Sequence, residues 1–381
     1  MNQMQLPHPA SPLLDHCPDT LPAVAYYDSD WFERELSSIW SRHWVYACRL
    51  SDLEPLTVRR ISIGRENLIL VRDHEDRVTA FHNTCRHRGS ELCTSDEKRL
   101  SSRLITCPYH QWSYALDGRL IRTPFVSLTP DFRKEDHGLF PVHVKVWNGF
   151  VFLCLADEPP PFEAAPDVGA NALDSWPMTD LVTGHTMVTE IACNWKIFWE
   201  NYNECLHCPG IHPELVDLVP IYGKGYMAPN EAPDWQPDRA HEEGPLRPGA
   251  RSWTMNGAPC GPEFPNLSEA ERQAGYLFVT LMPTMFIVAH VDYVRAVSLK
   301  PLGPERTELR AEWLFLPATL SAPGFDLANV VDFATLVMTQ DAGACEMNQR
   351  GLKSSRYASG RLMPQEFDIH RFHQWIRDHM T

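Results

Sequence analysis

Two short Cys–His pairs constrain this chain more than any other feature: Cys85-Arg86-His87 and Cys107-Pro108-Tyr109-His110. Each offers one thiolate and one imidazole. Four such groups suffice for a structural zinc site, yet zinc pairs usually leave about two to four residues between partners, and Cys85 and His87 leave a single one. Two thiolates and two imidazoles drawn alternately from two loops instead match a Rieske 2Fe-2S centre, with both thiolates on one iron and both imidazoles on the other. Neutral imidazole ligands raise the reduction potential and suit such a cluster to accept electrons from a soluble carrier. The 11 cysteines are odd in number and follow no disulfide-like spacing. Met1–Ala10 has neither the basic start nor the apolar core of a signal segment, so a reducing, cytoplasmic location is expected.

The pairs sit in a stretch that reads as an all-β module. Thr57–Ile63, Asn67–Arg72 and Val78–His82 are short and rich in β-branched residues. Asp117-Gly118 and Asn148-Gly149 are hairpin signals, the second flanked by Val144–Trp147 and Phe150–Cys154. Upstream, Trp31, Phe32, Leu36, Ile39 and Trp40 recur at helical spacing behind a Ser29 or Asp30 cap, with Glu33 placed for a capping box. Downstream, Pro159, Pro160, Pro161 and Pro166 mark residues 157–175 as a connection between domains. The remainder reads as α+β. It has a strand near Val182–Cys193, a helix from about Asn194, and strands at Gly275–Lys300 and Thr307–Phe315. A helix follows from Asp326 to Arg350, closed by Gly351, and a last amphipathic one carries Phe367, Ile369, Phe372 and Ile376. The eleven prolines between Pro209 and Pro265 leave little periodicity, as in a lid or binding loop.

A second constellation lies in this C-terminal body. The run Asn194 to His212 carries His207 and His212, and helical spacing sets Glu204 and His207 on one face. Pro209-Gly210 is expected to break that helix and let His212 fold back toward the same metal. Ferrous iron that must bind dioxygen needs two imidazoles, one carboxylate and open positions. Cys205-x-x-Cys208 leaves two other uses open, a redox dithiol or half a zinc site.

The segments CRHRGSELC (Cys85–Cys93) and CPYHQWSYALDG (Cys107–Gly118) resemble the Rieske domain of bacterial Rieske non-haem iron oxygenases, although Gln111 stands where many members have glycine. The resemblance runs from the Trp31–Trp44 helix to the segment around Asp341. It implies a Rieske domain beside an α+β catalytic domain with an antiparallel sheet and helices. The expected division is 1–45 for an N-terminal segment and helix packing on the catalytic domain, 46–156 for the Rieske domain, 157–175 for the linker, and 176–381 for the catalytic domain. The resemblance also assigns Asp341 as the carboxylate that completes the iron site with His207 and His212. Glu204 falls where the family carries an acid, usually Asp, that bridges the Rieske histidine of one subunit to the iron-ligand histidine of its neighbour in a homotrimer. The string NYNECLHCPGIHP (Asn201–Pro213) looks most like the branch acting on quaternary ammonium compounds, which includes glycine betaine and proline betaine demethylases and carnitine oxygenases. Leu206 occupies a position where that branch commonly has tyrosine, so a role for a phenol there does not carry over.

What the resemblance implies is an oxygenase using dioxygen and NAD(P)H electrons passed through a separate flavin-containing reductase. An N-methyl group of a quaternary amine would be hydroxylated and lost as formaldehyde. Hydroxylation or O-demethylation of an aromatic compound, or C–N cleavage of carnitine, are the rival reactions. Composition fits a small-molecule enzyme. With 34 Lys plus Arg against 49 Asp plus Glu, the formal charge of −15 disfavours nucleic acid and anionic lipid. No run reaches the roughly 18 apolar residues of a membrane span. Aromatic faces hold quaternary ammonium groups by cation–π attraction, and Phe286 and His290, alternating on the Met285–Val291 strand, are candidate pocket residues.

Overall fold

The computed structural model describes residues 11–163, 169, 171–236 and 245–380. Two compact units divide the chain. No described helix is long and apolar enough to cross a membrane.

Residues 36–162, together with Met282–Thr284, form the first unit. Its seven-stranded sheet runs in the order Val45–Arg49, Phe150–Cys154, Pro141–Trp147, Val78–His82, Glu66–Arg72, Thr57–Ile63, Glu97–Arg99. A three-stranded sheet of Leu104–Thr106, Ser113–Ala115 and Leu120–Arg122 accompanies it. The registered pairs in both sheets are antiparallel. The turn residues explain the hairpins. Asn148 and Gly149 take φ of 50° and 74°, as a two-residue primed turn requires. Gly118 has φ of 88°, and a Cβ there would meet the Phe81 ring at 2.5 Å, so glycine is required twice over. Val58, Ile69, Val71, Phe81, Trp112 and Tyr114 form a core that encloses Cys85 and Cys107.

The second unit holds residues up to 35, 163–281 and 285 onward. Its five-stranded antiparallel sheet is ordered Val182–Ile191, Arg306–Phe315, Val294–Gly303, Met285–His290, Tyr276–Leu281. Helices Trp195–Tyr202, Leu327–Leu352 and Phe367–His379 complete it. The Asp326 carboxylate caps the long helix by accepting from Asn329 N–H at 3.3 Å. Gly351 lies inside that helix rather than ending it.

The N-terminal helix differs from expectation. It spans Ser29–Glu35, passes into a π-helical turn at Leu36–Trp40, and is capped by Asp28, which accepts from Trp31 N–H at 2.8 Å. The division between units falls at this change of geometry, so residues 36–45 group with the Rieske-like unit. Glu35 ends the helix fully buried. It accepts from Trp31 Nε1 at 2.9 Å, Trp195 Nε1 at 2.8 Å and the buried Lys196 Nζ at 2.5 Å. These bonds fasten the N-terminal helix to the second unit.

Candidate metal centres and substrate cavity

In the first unit the two Cys–His loops are folded by their own backbone. Gly89 N–H and Gln111 N–H donate back to the carbonyls of Cys85 and Cys107 at 2.9 and 3.1 Å, closing one tight turn at each pair. Gln111 takes φ of 60°, which explains why glycine suits this position. The thiols of Cys85 and Cys107 are buried, and the imidazoles of His87 and His110 meet with ring centroids 4.7 Å apart. The Tyr114 hydroxyl lies 3.2 Å from Cys85 Sγ and accepts from Arg86 N–H at 3.0 Å, so its own proton is available to a Cys85 thiolate. Burial pushes the Cys85 thiol up, and the hydrogen bond from Tyr114 opposes this. His87 Nδ1 is buried without a hydrogen-bond partner while the ring stacks on Trp112. An orphaned imidazole nitrogen beside two buried thiols is the donor set a 2Fe-2S cluster takes up.

In the second unit His207, His212 and Asp341 converge. His212 Nε2 is 2.8 Å and His207 Nε2 3.4 Å from the same atom, Asp341 Oδ1. Donors about 2.1 Å from a metal and at right angles to each other stand about 3 Å apart, so this spacing fits one ion. The opposite ring nitrogens are held. Glu204 Oε1 accepts from His207 Nδ1 at 2.5 Å, and Gln340 Oε1 accepts from His212 Nδ1 at 2.8 Å. With both Nδ1 atoms engaged by acceptors, both Nε2 atoms are aimed at the carboxylate, the side on which a metal would displace any proton they carry. Burial pulls the His207 imidazole down, but hydrogen bonds to Asp341 and Glu204 carry it up to about 9 when no metal is present. Burial likewise raises Asp341, and the two histidines outweigh it and lower the carboxyl.

The local fold reaches this geometry by another route than a continuous helix. The first helix stops at Tyr202, residues 203–207 form a turn, and Cys208–Ile211 begins a new helical turn with Pro209 at its start. Proline therefore opens a helix here instead of breaking one. Glu204 meets His207 because its carboxylate caps the turn, accepting from Leu206 N–H and His207 N–H. Cys205 and Cys208 are joined by a disulfide, the oxidised form of the dithiol that the Cys-x-x-Cys spacing left open. Cys208 Sγ lies in one cluster with the His207 and His212 donors, all within 4.8 Å of one another, but it is bonded to Cys205.

Residues 178–381 match the family described as ring hydroxylating alpha subunit (catalytic domain), and residues 43–133 match the Rieske [2Fe-2S] domain. The chain belongs to the Rieske non-haem iron oxygenases. It is similar to the glycine betaine monooxygenase oxygenase subunit of Chromohalobacter salexigens, with 31% identity over 95% of this chain and 86% of that one. The carnitine monooxygenase oxygenase subunit of Acinetobacter pittii is 29% identical over 90% and 88% of the two chains. The crystal structure of the quaternary ammonium Rieske monooxygenase CntA shares the fold, with a TM-score of 0.72, 22% identity and 96% of each chain covered. Family membership makes the protein an enzyme built for a Rieske cluster and a non-haem iron.

In this oxygenase a cavity of about 80 Å³ opens at His207, His212 and Asp341. Its wall includes Tyr202, Tyr222, Trp253, Phe278, Phe286 and Arg295. Tyr202 stacks on Phe286 with centroids 4.0 Å apart, and Trp253 meets Phe278 at 6.1 Å. The proline-rich segment after Pro209 thus supplies pocket walls through Tyr222 and Trp253. Of the two candidate pocket residues on this strand, Phe286 is among the cavity's lining residues and His290 is not. His290 is fully buried and stacks on Tyr293 at 4.3 Å, and Trp253, itself a cavity residue, packs against it at 5.5 Å. Burial and the nearby Arg295 hold His290 well below the usual imidazole range, and so neutral. Arg295, Trp253 and Gln340 were not found by sequence reasoning, because an arginine in a strand and a tryptophan in a loop carry no metal-like spacing.

Proposed function

We propose that this oxygenase hydroxylates an N-methyl group of a quaternary amine, with loss of that carbon as formaldehyde. The observation that carries the reading is the cavity itself. Its donors His207, His212 and Asp341 meet aromatic faces that suit a quaternary ammonium group, in a chain similar over most of its length to glycine betaine and carnitine monooxygenase subunits. When bound, iron at these donors supplies dioxygen activation, and a cluster on Cys85, His87, Cys107 and His110 supplies the electrons. One oxygen atom enters the methyl C–H bond and the other leaves as water with two electrons and two protons. The N-hydroxymethyl product then collapses to formaldehyde and a tertiary amine.

In this reading a separate flavin-containing reductase delivers NAD(P)H electrons, and the chain acts as a cytoplasmic homotrimer. Glu204 is the bridge between neighbouring subunits. Two features support that role: Glu204 holds His207 Nδ1, and it lines both the cavity and an open cleft of about 480 Å³ beside Glu200 and Glu366. Leu206 next to it is 41% exposed and brings no phenol to this surface.

Iron-loaded protein with a surrogate reductase should release formaldehyde from a betaine in a panel of betaines, carnitine and aromatic acids. Trimethylamine from carnitine would shift the assignment to C–N cleavage. Formaldehyde from aromatic ethers alone would overturn the substrate class.

A further inference from the structure

Arg295 lies in the middle of the sheet under the cavity. Cross-strand partners share a face, and the row Phe278, Val288, Arg295, Trp313 crosses four strands, with Phe286 two positions from Val288 on the same side. Arg295 is 5% exposed and lines the cavity. Its Nε has no hydrogen-bond partner, and among the described residues no carboxylate stands within ion-pair distance of its guanidinium. Other arginines of low exposure in this chain do have partners for their guanidinium NH groups: Arg49 donates to Asn148 O at 2.8 Å, and Arg72 to Leu50 O and Leu53 O at 3.1 Å each and to Asp76. A guanidinium stays protonated even when buried, and an unpaired buried charge is strongly destabilising.

The surrounding charges do not relieve it. Asp341 acts on Arg295 only through space, and as an iron donor it would be more than cancelled by a ferrous ion. Glu204 is turned to His207. An iron-loaded cavity therefore carries excess positive charge beside a planar fork of donors, the shape that takes a carboxylate bidentately. The same walls offer aromatic faces for a trimethylammonium group. A molecule that supplies both is a zwitterion.

We infer that Arg295 anchors the carboxylate of a betaine and so directs its ammonium group to the faces of Tyr202, Phe278 and Phe286. The inference rests on the quaternary-amine reading above and narrows it. A cation without a carboxylate, such as choline, would leave Arg295 uncompensated.

Calorimetric titration of the anaerobic holoenzyme with glycine betaine, choline and tert-butylacetate, the carbon isostere of glycine betaine, tests this. The wild-type enzyme should bind glycine betaine at least about tenfold more tightly than choline. Arg295→Gln should weaken glycine betaine and tert-butylacetate about 100-fold, or ~2.7 kcal/mol, with choline affinity unchanged, and Arg295→Lys should recover part of the loss. Equal wild-type affinity for glycine betaine and choline overturns the inference, and this comparison needs no variant to fold. A Gln variant that loses both ligands alike, or neither, also overturns it. Failure of the underlying reading looks different: neither amine binds, para-methoxybenzoate does, and the betaine assignment falls with its premise.

Discussion

Replacing Gln340 with leucine removes one hydrogen bond and leaves every proposed iron donor in place, which makes it a direct test of how the site is organised. Gln340 Oε1 accepts from His212 Nδ1 at 2.8 Å, while its Nε2 donates to Glu214 Oε2 at 3.0 Å. The second bond fixes which way the amide points, so the oxygen is always presented to the histidine. In Gln340→Leu the neutral His212 ring is free to carry its proton on Nε2, 2.8 Å from Asp341 Oδ1, where it competes with the metal. Loss of such a supporting partner typically lowers metal affinity about 10- to 100-fold, or about 1.4 to 2.7 kcal/mol. The measurement is anaerobic Fe(II) titration against a competing chelator, on protein stripped at the mononuclear site. The Rieske absorption should stay unchanged, since the Cys–His loops belong to the other unit. Glu214→Ala keeps the Gln340 oxygen and should cost only a few-fold. Wild-type iron affinity in Gln340→Leu, or an equal loss in Glu214→Ala, would refute the reasoning.

Other outcomes follow from the same geometry. Asp341→Ala should lose mononuclear iron, read by metal analysis, with the Rieske spectrum intact; retention of both would remove Asp341 from the donor set. Glu204→Gln should keep both metal centres yet slow single-turnover product formation severely, and wild-type turnover would exclude the bridge. Glu35→Gln leaves the fully buried Lys196 without its carboxylate partner, so chemical denaturation should show a loss of about 3 to 5 kcal/mol; a loss under about 1 kcal/mol would mean the pair is not coupled to folding. The His207 imidazole, raised to about 9 in the metal-free site, holds a proton at neutral pH that iron must displace. Apparent Fe(II) affinity should therefore rise about tenfold per pH unit up to about pH 9 and then level off; a flat profile between about pH 6 and 8 would contradict this.

The parts legible in the sequence were those governed by short-range rules. The strands Thr57–Ile63 and Val78–His82 appear with the boundaries their β-branched runs suggest, and Asn148-Gly149 turns as its side chains require. The convergence of His207, His212 and Asp341 was accessible only partly. Two histidines can be paired by spacing, but Asp341 lies more than a hundred residues away on another helix and was reached by resemblance alone. What remained hidden depends on tertiary contact. The His290 side chain shares its sheet face with Phe286, and alternation cannot tell which residue on a face meets the cavity and which is covered by Trp253. Arg295 sits in a run of buried apolar residues, and its lack of a partner is visible only once the neighbours are assembled.

The turn at 203–208 shows why so much function fits into so few residues. Glu204 spends one oxygen on the His207 ring and the other on the turn's own N–H groups, so the proposed bridge and the iron-facing histidine form a single hydrogen-bonded unit. The Cys205–Cys208 disulfide closes the turn across His207, and Pro209 starts the next helix with a preset φ. Each constraint removes a freedom that would otherwise have to be lost on metal binding, and a ring held in one tautomer and orientation binds with less reorganisation. Glutamate reaches one methylene further than the aspartate usual in the family, so it can cap the turn and still touch Nδ1. Shortening it to Glu204→Asp should therefore weaken one of the two contacts. Loss of iron affinity would mark the histidine contact as the one broken, and loss of turnover at full iron occupancy would mark the path to the cleft.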